Sequence, residues 1–514
     1  MASSIVRGKY LISKVMSPTE ATVIADGAVF QRDGEVVEIG TYADLAAKYS
    51  PDEVIGSPEH VIMPGLVNAH HHVGLTPFQL GSPDYPLELW LASRVAARDV
   101  DPYLDTLYSA FEMIESGVTT VQHLHSARRG PAPTWPKLAD QVLRAYRDIG
   151  MRTSYAFGFR DQNRLVYGPD EEFVKGLPPD LAPDVSALLG GMAIDFDQYI
   201  SSLFVDLYES WGRNRAERVR IWLAPTNLHW CSDKVLVAVK EYATRYRAGI
   251  HIHLLETVYQ KLYAQRRFGV SAVRHLYDLG FLGPEVTLGH GVWLTEEDVE
   301  LVARTGTCIC HNPSSNLRLQ SGIAPVNYFA ERGVRVGLGI DEAGINDDRD
   351  MLQEMRLALK LHRVPGMGRA VPTSPQVLQM ATQHGVHTTG FADRIGSLEP
   401  GKSADIVVMS LRNIAEPYLD AEVPIVDAVV HRGRSADVET VLIAGEVVMR
   451  DRHFTRVNKA EVLRELATSL KAPLRPDEVK RRELTRQLFP YVRRFYDGWI
   501  PPEGEPFYRQ NQRG

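Results

Sequence analysis

The chain has 514 residues, of which 44% are hydrophobic and 24% are charged, and its formal net charge at pH 7 is -7. A chain of this length and composition can bury a large core, which excludes a wholly disordered protein and predicts one large domain with a smaller one. Because acidic and basic residues are interspersed, without a long basic run, we expect no nucleic-acid partner.

The first predicted unit is a set of short strands in residues 1–63. Apolar and polar residues alternate there, and Asp33-Gly34 is a strong hairpin turn signal. In residues 64–394 the pattern changes to short apolar runs, each followed by a longer amphipathic stretch, as in RVRIWLAP and then DKVLVAVKEYATRYR. Repeated strand-helix units imply a parallel sheet, and their number predicts an α/β fold with a (β/α)8 TIM-like barrel.

Three further segments flank or interrupt this predicted barrel. Short strand signals return in residues 395–457, which we expect to pair with the N-terminal unit into a small β-sandwich domain. Residues 458–514 have helical spacing and predict a helical C-terminal extension. An insertion at about 160–215 is longer than an ordinary connection, and its aromatic residues either pack a surface helix or cover the pocket as a lid. Those aromatic residues, at helical spacing, are Phe196, Tyr199, Phe204 and Tyr208.

The string VIMPGLVNAHHHVG is an apolar strand that ends in three histidines. Alternation along a strand sends His70 and His72 to one side and His71 to the other. At the C-terminal mouth of a barrel strand, two imidazoles on one side can chelate a transition metal. A single His-x-His is also compatible with an ordinary polar strand end.

Three other predicted strands end in residues that bind metals or transfer protons. GIHIHLLET contains His253 and, three residues later, Glu256; VTLGHGVWL places His290 at a strand end, and VGLGIDEAG places Asp341 at another. Each of these alone is also explained by a capped strand end. Because the C-terminal ends of barrel strands meet at one mouth, their combination with the two histidines predicts a metal-dependent active site.

These motifs resemble the amidohydrolase superfamily, in the branch that holds cytosine, guanine and S-adenosylhomocysteine deaminases and the triazine hydrolases. The resemblance covers nearly the whole chain and is weakest in residues 160–215 and after about residue 458. PGLVNAHHH is similar to the branch's PGLVNxHxH motif. Supporting stretches are ESGVTT, HNPSSNLRLQSGIAPV, INDDRDMLQEMRLAL and IGSLEPGKSADIVV.

The resemblance implies one divalent transition metal per subunit, most simply zinc, with iron or manganese as alternatives. Such an ion lowers the pKa of bound water to about 7. Asp341 would accept the proton of that water, Glu256 would carry protons to the substrate ring nitrogen and the departing group, and His290 would orient or polarise the substrate. The implied metal ligands are His70, His72, His253 and Asp341.

Further residues are expected near the substrate. Glu342 stands where the family often has glycine, and its carboxylate suits a cationic or amine-bearing substrate, unless it is a solvated residue at a helix N-terminus. The segment QHLH ends the second barrel strand, and we expect one of its imidazoles to face the pocket. Trp90 matches a position near the substrate in related deaminases, with core filling as the alternative. The substrate-binding candidates are Trp90, Gln122, His123, His125 and Glu342.

The function expected from this resemblance is hydrolytic deamination of a small heteroaromatic compound, at a carbon-nitrogen bond that is not a peptide bond. Removal of chloride or an alkylamine from such a ring, or cleavage of a urea or carbamate, would use the same mononuclear site. A binuclear cyclic amidase is disfavoured because VRIWLAPTNLHWC lacks the lysine that bridges two metals. A non-catalytic scaffold is disfavoured because the four implied ligands are present.

The number of cysteines and the length of the apolar runs indicate in which cellular compartment the protein works. The chain has three cysteines, and Cys308 and Cys310 are too close in sequence to suggest a disulfide framework. No stretch approaches 18 consecutive apolar residues, and charged residues interrupt the N-terminal apolar ones. We therefore predict a cytoplasmic protein that acts on a small-molecule substrate without a membrane partner. A homo-oligomer, dimer or higher, is also expected.

Overall fold

The computed structural model describes residues 3–126, 131–214, 218–368 and 371–501. Its strands are β1 (Ser3–Arg7), β2 (Tyr10–Ser17), β3 (Glu20–Ala25), β4 (Gly27–Arg32), β5 (Glu35–Thr41), β6 (Glu53–Gly56), β7 (His60–Pro64), β8 (Leu66–His71), β9 (Val118–His125), β10 (Arg152–Phe159), β11 (Val219–Ile221), β12 (Ala224–Pro225), β13 (Ile250–Leu254), β14 (Val286–His290), β15 (Cys308–His311), β16 (Val336–Leu338), β17 (Ile406–Ser410), β18 (Val438–Ile443), β19 (Glu446–Arg450) and β20 (His453–Phe454).

The α-helices of the described residues mostly follow the barrel strands or lie at the C-terminus. They are α1 (Tyr42–Lys48), α2 (Leu87–Ser93), α3 (Pro102–Glu115), α4 (Trp135–Ile149), α5 (Asp170–Lys175), α6 (Ala182–Gly191), α7 (Phe196–Gln198), α8 (Asp233–Tyr246), α9 (Val258–Phe268), α10 (Ala272–Asp278), α11 (Glu296–Thr305), α12 (Pro313–Arg318), α13 (Val326–Glu331), α14 (Met351–Leu361), α15 (Ser374–Gln379), α16 (Leu411–Ala415), α17 (Ile425–Arg432), α18 (Lys459–Lys471) and α19 (Pro476–Phe495). Short 3-10 turns lie at Arg94–Ala96, Ala132–Thr134, Leu228–Trp230, Gly385–Thr388 and Ser435–Asp437, and π-helical turns at Tyr199–Val205, Tyr208–Gly212 and Met380–His384. Every helix in these ranges is too short or too polar to cross a lipid bilayer.

The barrel strands form two parallel sheets. One has the order β11-β10-β9-β8, with β12 also paired to β10, and the other has the order β13-β14-β15-β16. Helices follow most of these strands, for example α4 after β9 and α8 after β12. The predicted alternation of parallel strands and helices is therefore confirmed.

The pairing of barrel strands is not continuous around the circle, which differs from the predicted eight-stranded ladder. Single bridges, between Leu223 and Ile250 and between Asn227 and His253, join the two sheets on one side. On the other side one bridge joins His71 to Asp341. The terminal strands β12 and β16 have two and three residues, which is too short to extend a ladder across either seam. Metal-ligand candidates therefore lie directly at both seams.

Strands from before and after the barrel share one sheet. A four-stranded sheet has the order β5-β4-β1-β6, and a seven-stranded sheet has the order β20-β19-β18-β17-β7-β2-β3. In the larger sheet β17 runs antiparallel to β7, with Ile406 opposite Pro64. Apolar side chains of both sheets, among them Val6, Val29 and Leu442, belong to one buried cluster.

The insertion at about 160–215 packs against two different parts of the fold. Its predicted aromatic residues do not lie over the pocket. The hydroxyl of Tyr199 donates to the backbone carbonyl of Phe157 at 2.9 Å, and the ring of Tyr208 lies 5.1 Å from that of Tyr246. Phe196 and Phe204 contact the same outer surface of β10 and α8. These aromatic residues form part of the outer helix layer because the outward faces of β10 and α8 offer apolar partners there. Of the two alternatives for these aromatic residues, the contacts favour the packing of a surface helix.

Residues 165–189 of the insertion pack instead against α19, and the shared cluster includes Ala92 of α2. The backbone N–H of Tyr167 donates to the hydroxyl of Tyr496 at 3.2 Å. The C-terminal helix therefore supports the segment that carries Trp90. Residues 502–514 of the predicted extension, and residues 215–217 at the end of the insertion, lie outside the described residues.

A buried ion pair joins the barrel to the strand β17 region. Arg152 of β10 donates from Nη2 to Oδ1 of Asp405 at 2.9 Å and from Nε to Oδ2 at 3.2 Å. The two side chains are 5% and 3% exposed. Removing one partner of a buried pair leaves an uncompensated charge, so we expect Arg152→Met to lower the free energy of unfolding by about 3–5 kcal/mol.

Denaturant unfolding monitored by circular dichroism measures this loss. The matched control is Arg412→Met, because Arg412 pairs with Glu59 at 2.7 Å while the two side chains are 72% and 64% exposed. That exposed pair should contribute no more than about 1 kcal/mol. Equal losses in the two variants would contradict a stabilising role for the Arg152–Asp405 pair.

Candidate metal centre and active site

Four side chains from three strand ends, those of β8, β13 and β16, converge at the C-terminal mouth of the barrel. Nε2 of His72 lies 3.1 Å from Nε2 of His70, 3.0 Å from Nε2 of His253 and 3.3 Å from Oδ1 of Asp341. The same oxygen lies 3.4 Å from Nε2 of His70. All four side chains are buried. The structure thus brings together the four residues that the sequence motifs singled out.

The chemistry of this donor set fits a divalent metal ion. Nδ1 of His72 donates to the Leu124 carbonyl at 2.6 Å, and Nδ1 of His253 donates to the Thr226 carbonyl at 2.6 Å. With the proton on Nδ1, each Nε2 presents a lone pair to its neighbours, and lone pairs at about 3 Å repel one another unless a cation lies between them. Ligands of a tetrahedral ion with bonds of about 2.1 Å are about 3.4 Å apart, close to the spacing found here.

Glu256 lies beside this group of ligands without belonging to it. Its Oε2 is 3.7 Å from Nε2 of His290, and its backbone N–H donates to Oε1 of Gln260 at 2.9 Å. Burial, and next the nearby Asp341 carboxylate, raise the pKa of Glu256 well above its usual value. A carboxyl group with a raised pKa can hold a proton near neutral pH and then release it, as a general acid and base must.

His290 and Asp341 are oriented by polar partners from one short helix, α12. Nδ1 of His290 donates to Oδ1 of Asn316 at 2.9 Å, and the hydroxyl of Ser315 donates to Oδ2 of Asp341 at 2.6 Å. Both partners lie in the stretch HNPSSN, whose family-like pattern was the available sequence signal. His290 and Asp341 also have φ values of 72° and 63°, a left-handed conformation that is unfavourable outside glycine and concentrates at functional sites.

A small cavity of about 40 Å³ adjoins these residues, which is room for little more than ordered water. Trp90, Leu87, Leu319 and Trp230 form apolar walls, and the predicted Glu342 is also in the lining. Arg94, which the sequence interpretation missed, lines the cavity too. A compartment this small cannot hold a heterocycle with its walls in this arrangement.

Glu342 is not a solvated residue at a helix end. Its carboxylate is buried and pairs with the guanidinium of Arg94, which also lies 4.8 Å from the centre of the Trp90 ring. Burial raises the pKa of Glu342 to about 7. Arg94 and Glu342 are 248 positions apart, so no local sequence pattern indicated that they would pair.

Gln122, His123 and His125 are not in the lining of the cavity. Nδ1 of His123 pairs with the Tyr146 hydroxyl at 2.8 Å, and Nδ1 of His125 pairs with the Tyr155 hydroxyl at 2.6 Å. Alternation along β9 turns both imidazoles outward to the helix layer and leaves Gln122 buried inside the barrel, so the expectation that one imidazole faces the pocket is wrong.

Glu88 of α2 is a second buried carboxylate that the sequence interpretation missed. Its Oε1 accepts hydrogen bonds from the hydroxyls of Thr257 at 2.6 Å and Tyr167 at 3.0 Å. Thr257 directly follows Glu256, so this carboxylate connects α2 and the insertion to the loop of the candidate proton shuttle. No local motif marks Glu88, because its partners are 169 and 79 positions away.

Several named deaminases are similar to this chain over most of its length. The chain is similar to a 5'-deoxyadenosine deaminase of Methanosarcina mazei, with 31% identity over 470 residues that cover 90% of this chain and 97% of the relative. It is similar to a 5-methylthioadenosine/S-adenosylhomocysteine deaminase of Desulfitobacterium hafniense, with 30% identity over 446 residues that cover 86% and 93%. A crystal structure of an adenosine deaminase from Xanthomonas campestris with bound zinc shares the fold, with a TM-score of 0.75, 24% identity and coverage of 91% and 97%.

The sequence profile of the Amidohydrolase family matches residues 61–448. This match, together with the deaminase relatives, confirms the predicted superfamily, its deaminase branch, and a metal-dependent hydrolase of the class that acts on carbon-nitrogen bonds other than peptide bonds. The fold likeness confirms the TIM-like barrel class. The protein therefore belongs to the amidohydrolase family.

Proposed function

We propose that the protein is a mononuclear aminohydrolase that removes the exocyclic amino group of a 6-aminopurine nucleoside. The observation that carries this proposal is the buried convergence of three Nε2 lone pairs and the Asp341 carboxylate, with Glu256 beside them. His70, His72, His253 and Asp341 would hold one divalent ion, and the chemistry of three imidazoles and one carboxylate suits zinc, with iron or manganese as alternatives. The zinc in a solved adenosine deaminase of the same fold supports this choice.

A divalent metal held by these residues would supply the Lewis acidity that makes hydroxide available at neutral pH. Asp341 accepts the proton of the water, while the Ser315 hydroxyl holds its Oδ2 in place. Glu256, whose raised pKa suits a proton carrier, protonates the ring nitrogen next to the reacting carbon and then the departing amine. His290, fixed through Nδ1 by Asn316, directs Nε2 toward the developing negative charge.

The substrate class rests on the relatives and on the cavity walls. Relatives of 30–31% identity are named for adenosine derivatives altered at the 5' position. Trp90 and Trp230 in the lining offer flat apolar faces to a purine, which excludes water from the reacting carbon. Substrate entry requires the walls to open, because the cavity of about 40 Å³ is far below the several hundred Å³ of typical ligand sites.

A substrate panel tests this proposal. We expect ammonia release from 5'-deoxyadenosine, 5'-methylthioadenosine or S-adenosylhomocysteine with a kcat/KM above about 10⁴ M⁻¹s⁻¹ for at least one of them. Chlorinated triazines, alkylamino triazines and urea-bearing heterocycles serve as comparison substrates. Efficient release of chloride or alkylamine without nucleoside deamination would replace the proposed substrate class with the triazine class.

The role of Trp90 in substrate binding gives a separate prediction. If its ring stacks on the purine, Trp90→Ala should raise KM about 3- to 10-fold, since such ring contacts contribute about 0.5–1.5 kcal/mol. Trp211→Ala is the matched control, because Trp211 lies under Arg147 on the outer layer of the insertion. Steady-state kinetics on the best nucleoside measures both variants. An equal KM in Trp90→Ala and the control would leave Trp90 as core filling.

The remaining organisation is also part of this proposal. We propose that residues 1–63 and 395–457 form one β-sandwich domain beside the barrel of residues 64–394, supported by the sheet they share and the cluster between the two sheets. The three cysteines are buried and form no disulfide with one another, which supports a reducing, cytoplasmic setting. A homo-oligomer, dimer or higher, is expected on size-exclusion chromatography with light scattering.

A further inference from the structure

The three histidines of the metal centre are oriented in two different ways. His72 and His253 donate from Nδ1 to backbone carbonyl oxygens, which a side-chain substitution cannot remove. Nδ1 of His70 instead lies 2.8 Å from Nε2 of His251, and both rings are fully buried. His70 is therefore the histidine of this centre whose orientation depends on another side chain.

The chemistry of the centre determines the direction of this hydrogen bond. Nε2 of His70 faces Nε2 of His72 at 3.1 Å and Oδ1 of Asp341 at 3.4 Å, so it must present its lone pair there and carry its proton on Nδ1. That N–H donates to His251, whose Nε2 is then an unprotonated acceptor. The proton of His251 lies on its own Nδ1, which has no hydrogen-bond partner among the described residues.

The location of His251 cannot be explained by its own hydrogen bonding, because a buried N–H without a partner is destabilising. His251 is two residues before His253 on β13, so both imidazoles point into the barrel. Gly289 on the neighbouring strand leaves room for the pair: a side-chain carbon there would lie 3.4 Å from both His251 Nε2 and His70 Cε1.

From these contacts we infer that His251 is a positioning residue, which holds His70 in the tautomer and ring orientation that metal binding requires. A ligand histidine whose outer nitrogen loses its partner can rotate, and it can also place its proton on the nitrogen that should bind the metal. His251 itself contacts neither substrate nor metal in this role. The inference rests on the metal centre of the proposed function.

The test compares Zn²⁺ affinities of metal-free proteins by competition with a chromogenic chelator. His251→Phe keeps an aromatic ring of similar size but removes the acceptor, and we expect it to weaken Zn²⁺ binding about 10- to 100-fold. His251→Gln offers an amide oxygen as acceptor, and we expect it to restore most of the affinity. If position 251 only filled space, the presence of an acceptor would not matter, and restored Zn²⁺ affinity in His251→Gln would not be expected.

His311→Phe is the matched control, since His311 is equally buried and its Nε2 pairs with Nε2 of His362 at 2.8 Å, away from the four ligands. We expect that variant to bind Zn²⁺ like the wild type. If His251→Phe does not fold, as judged by circular dichroism, His251→Leu is the smaller acceptor-free variant for the same measurement.

Two outcomes separate this inference from the proposed function. If the wild type binds no Zn²⁺, Fe²⁺ or Mn²⁺, the metal centre itself fails. If the wild type binds one equivalent and a folded acceptor-free variant at position 251 binds with the same affinity, His251 has no positioning role while the proposed function stands. Equal loss of affinity in His251→Phe and His311→Phe would likewise overturn the inference.

Discussion

Glu256→Gln is expected to lower kcat by about 10²- to 10⁴-fold while the protein keeps close to one equivalent of metal. The amide preserves the shape of the side chain but cannot carry a proton between the nucleophile and the leaving group. Glu256 lies outside the four converging ligand atoms, with Oε2 at 3.7 Å from Nε2 of His290. Metal content by inductively coupled plasma mass spectrometry and single-turnover kinetics measure the two quantities independently.

Glu256→Asp provides the comparison, because it retains an ionisable carboxyl group that is displaced by one methylene. We expect its activity to fall between those of the wild type and Glu256→Gln. Metal loss in Glu256→Gln as large as in a ligand variant would mean that this carboxylate is a metal ligand. A wild-type kcat in Glu256→Gln would show that Glu256 takes no part in the reaction.

His253→Ala is expected to reduce metal content well below one equivalent and to abolish measurable deamination. Its Nε2 lies 3.0 Å from Nε2 of His72, at the seam where two isolated bridges connect β13 to the first sheet. Removing a direct ligand should cost more than the roughly 10- to 100-fold in metal affinity that the loss of an outer partner costs. Metal analysis after purification in zinc-supplemented medium measures the effect.

Wild-type protein treated with a chelator is the control for this variant. Adding Zn²⁺, Fe²⁺ or Mn²⁺ should restore activity to the chelated wild type but not to His253→Ala. Full metal content in a folded His253→Ala protein would exclude His253 from the ligand set. Activity of the chelated wild type without added metal would contradict metal dependence as a whole.

Much of the candidate site could be predicted from local sequence. The four candidate metal ligands, and also Glu256 and His290, stand at the end of an apolar strand or just after one. The carboxyl ends of parallel barrel strands meet at one mouth. Short-range alternation also placed His70 and His72 on the same side of β8, as the structure shows. Alternation along β9 also places His123 and His125 on one side of the strand. The sequence alone does not tell which side of β9 faces outward, so their outward orientation could not be predicted.

The partners of these residues could not be predicted in this way. His251 meets His70 across 181 positions, Arg94 meets Glu342 across 248, and Glu88 meets Thr257 across 169. Such pairs depend on how strands and loops are arranged in space, and a single sequence contains no local signal for them. The aromatic set of the insertion was predicted to be helical, but its periodicity could not indicate whether the pocket or the outer face of β10 would cover it.

The sequence by itself determined the parallel strand-helix alternation, the family and the residue types at the mouth of the barrel, because hydrophobic periodicity and strand-end motifs are local properties. Only the tertiary structure decided which nitrogen of each histidine faces its neighbours, that Arg94 neutralises Glu342, and that α19 rather than the aromatic helix of the insertion supports α2. These features follow from long-range packing, in which buried polar groups must find partners wherever the fold brings one within hydrogen-bond distance.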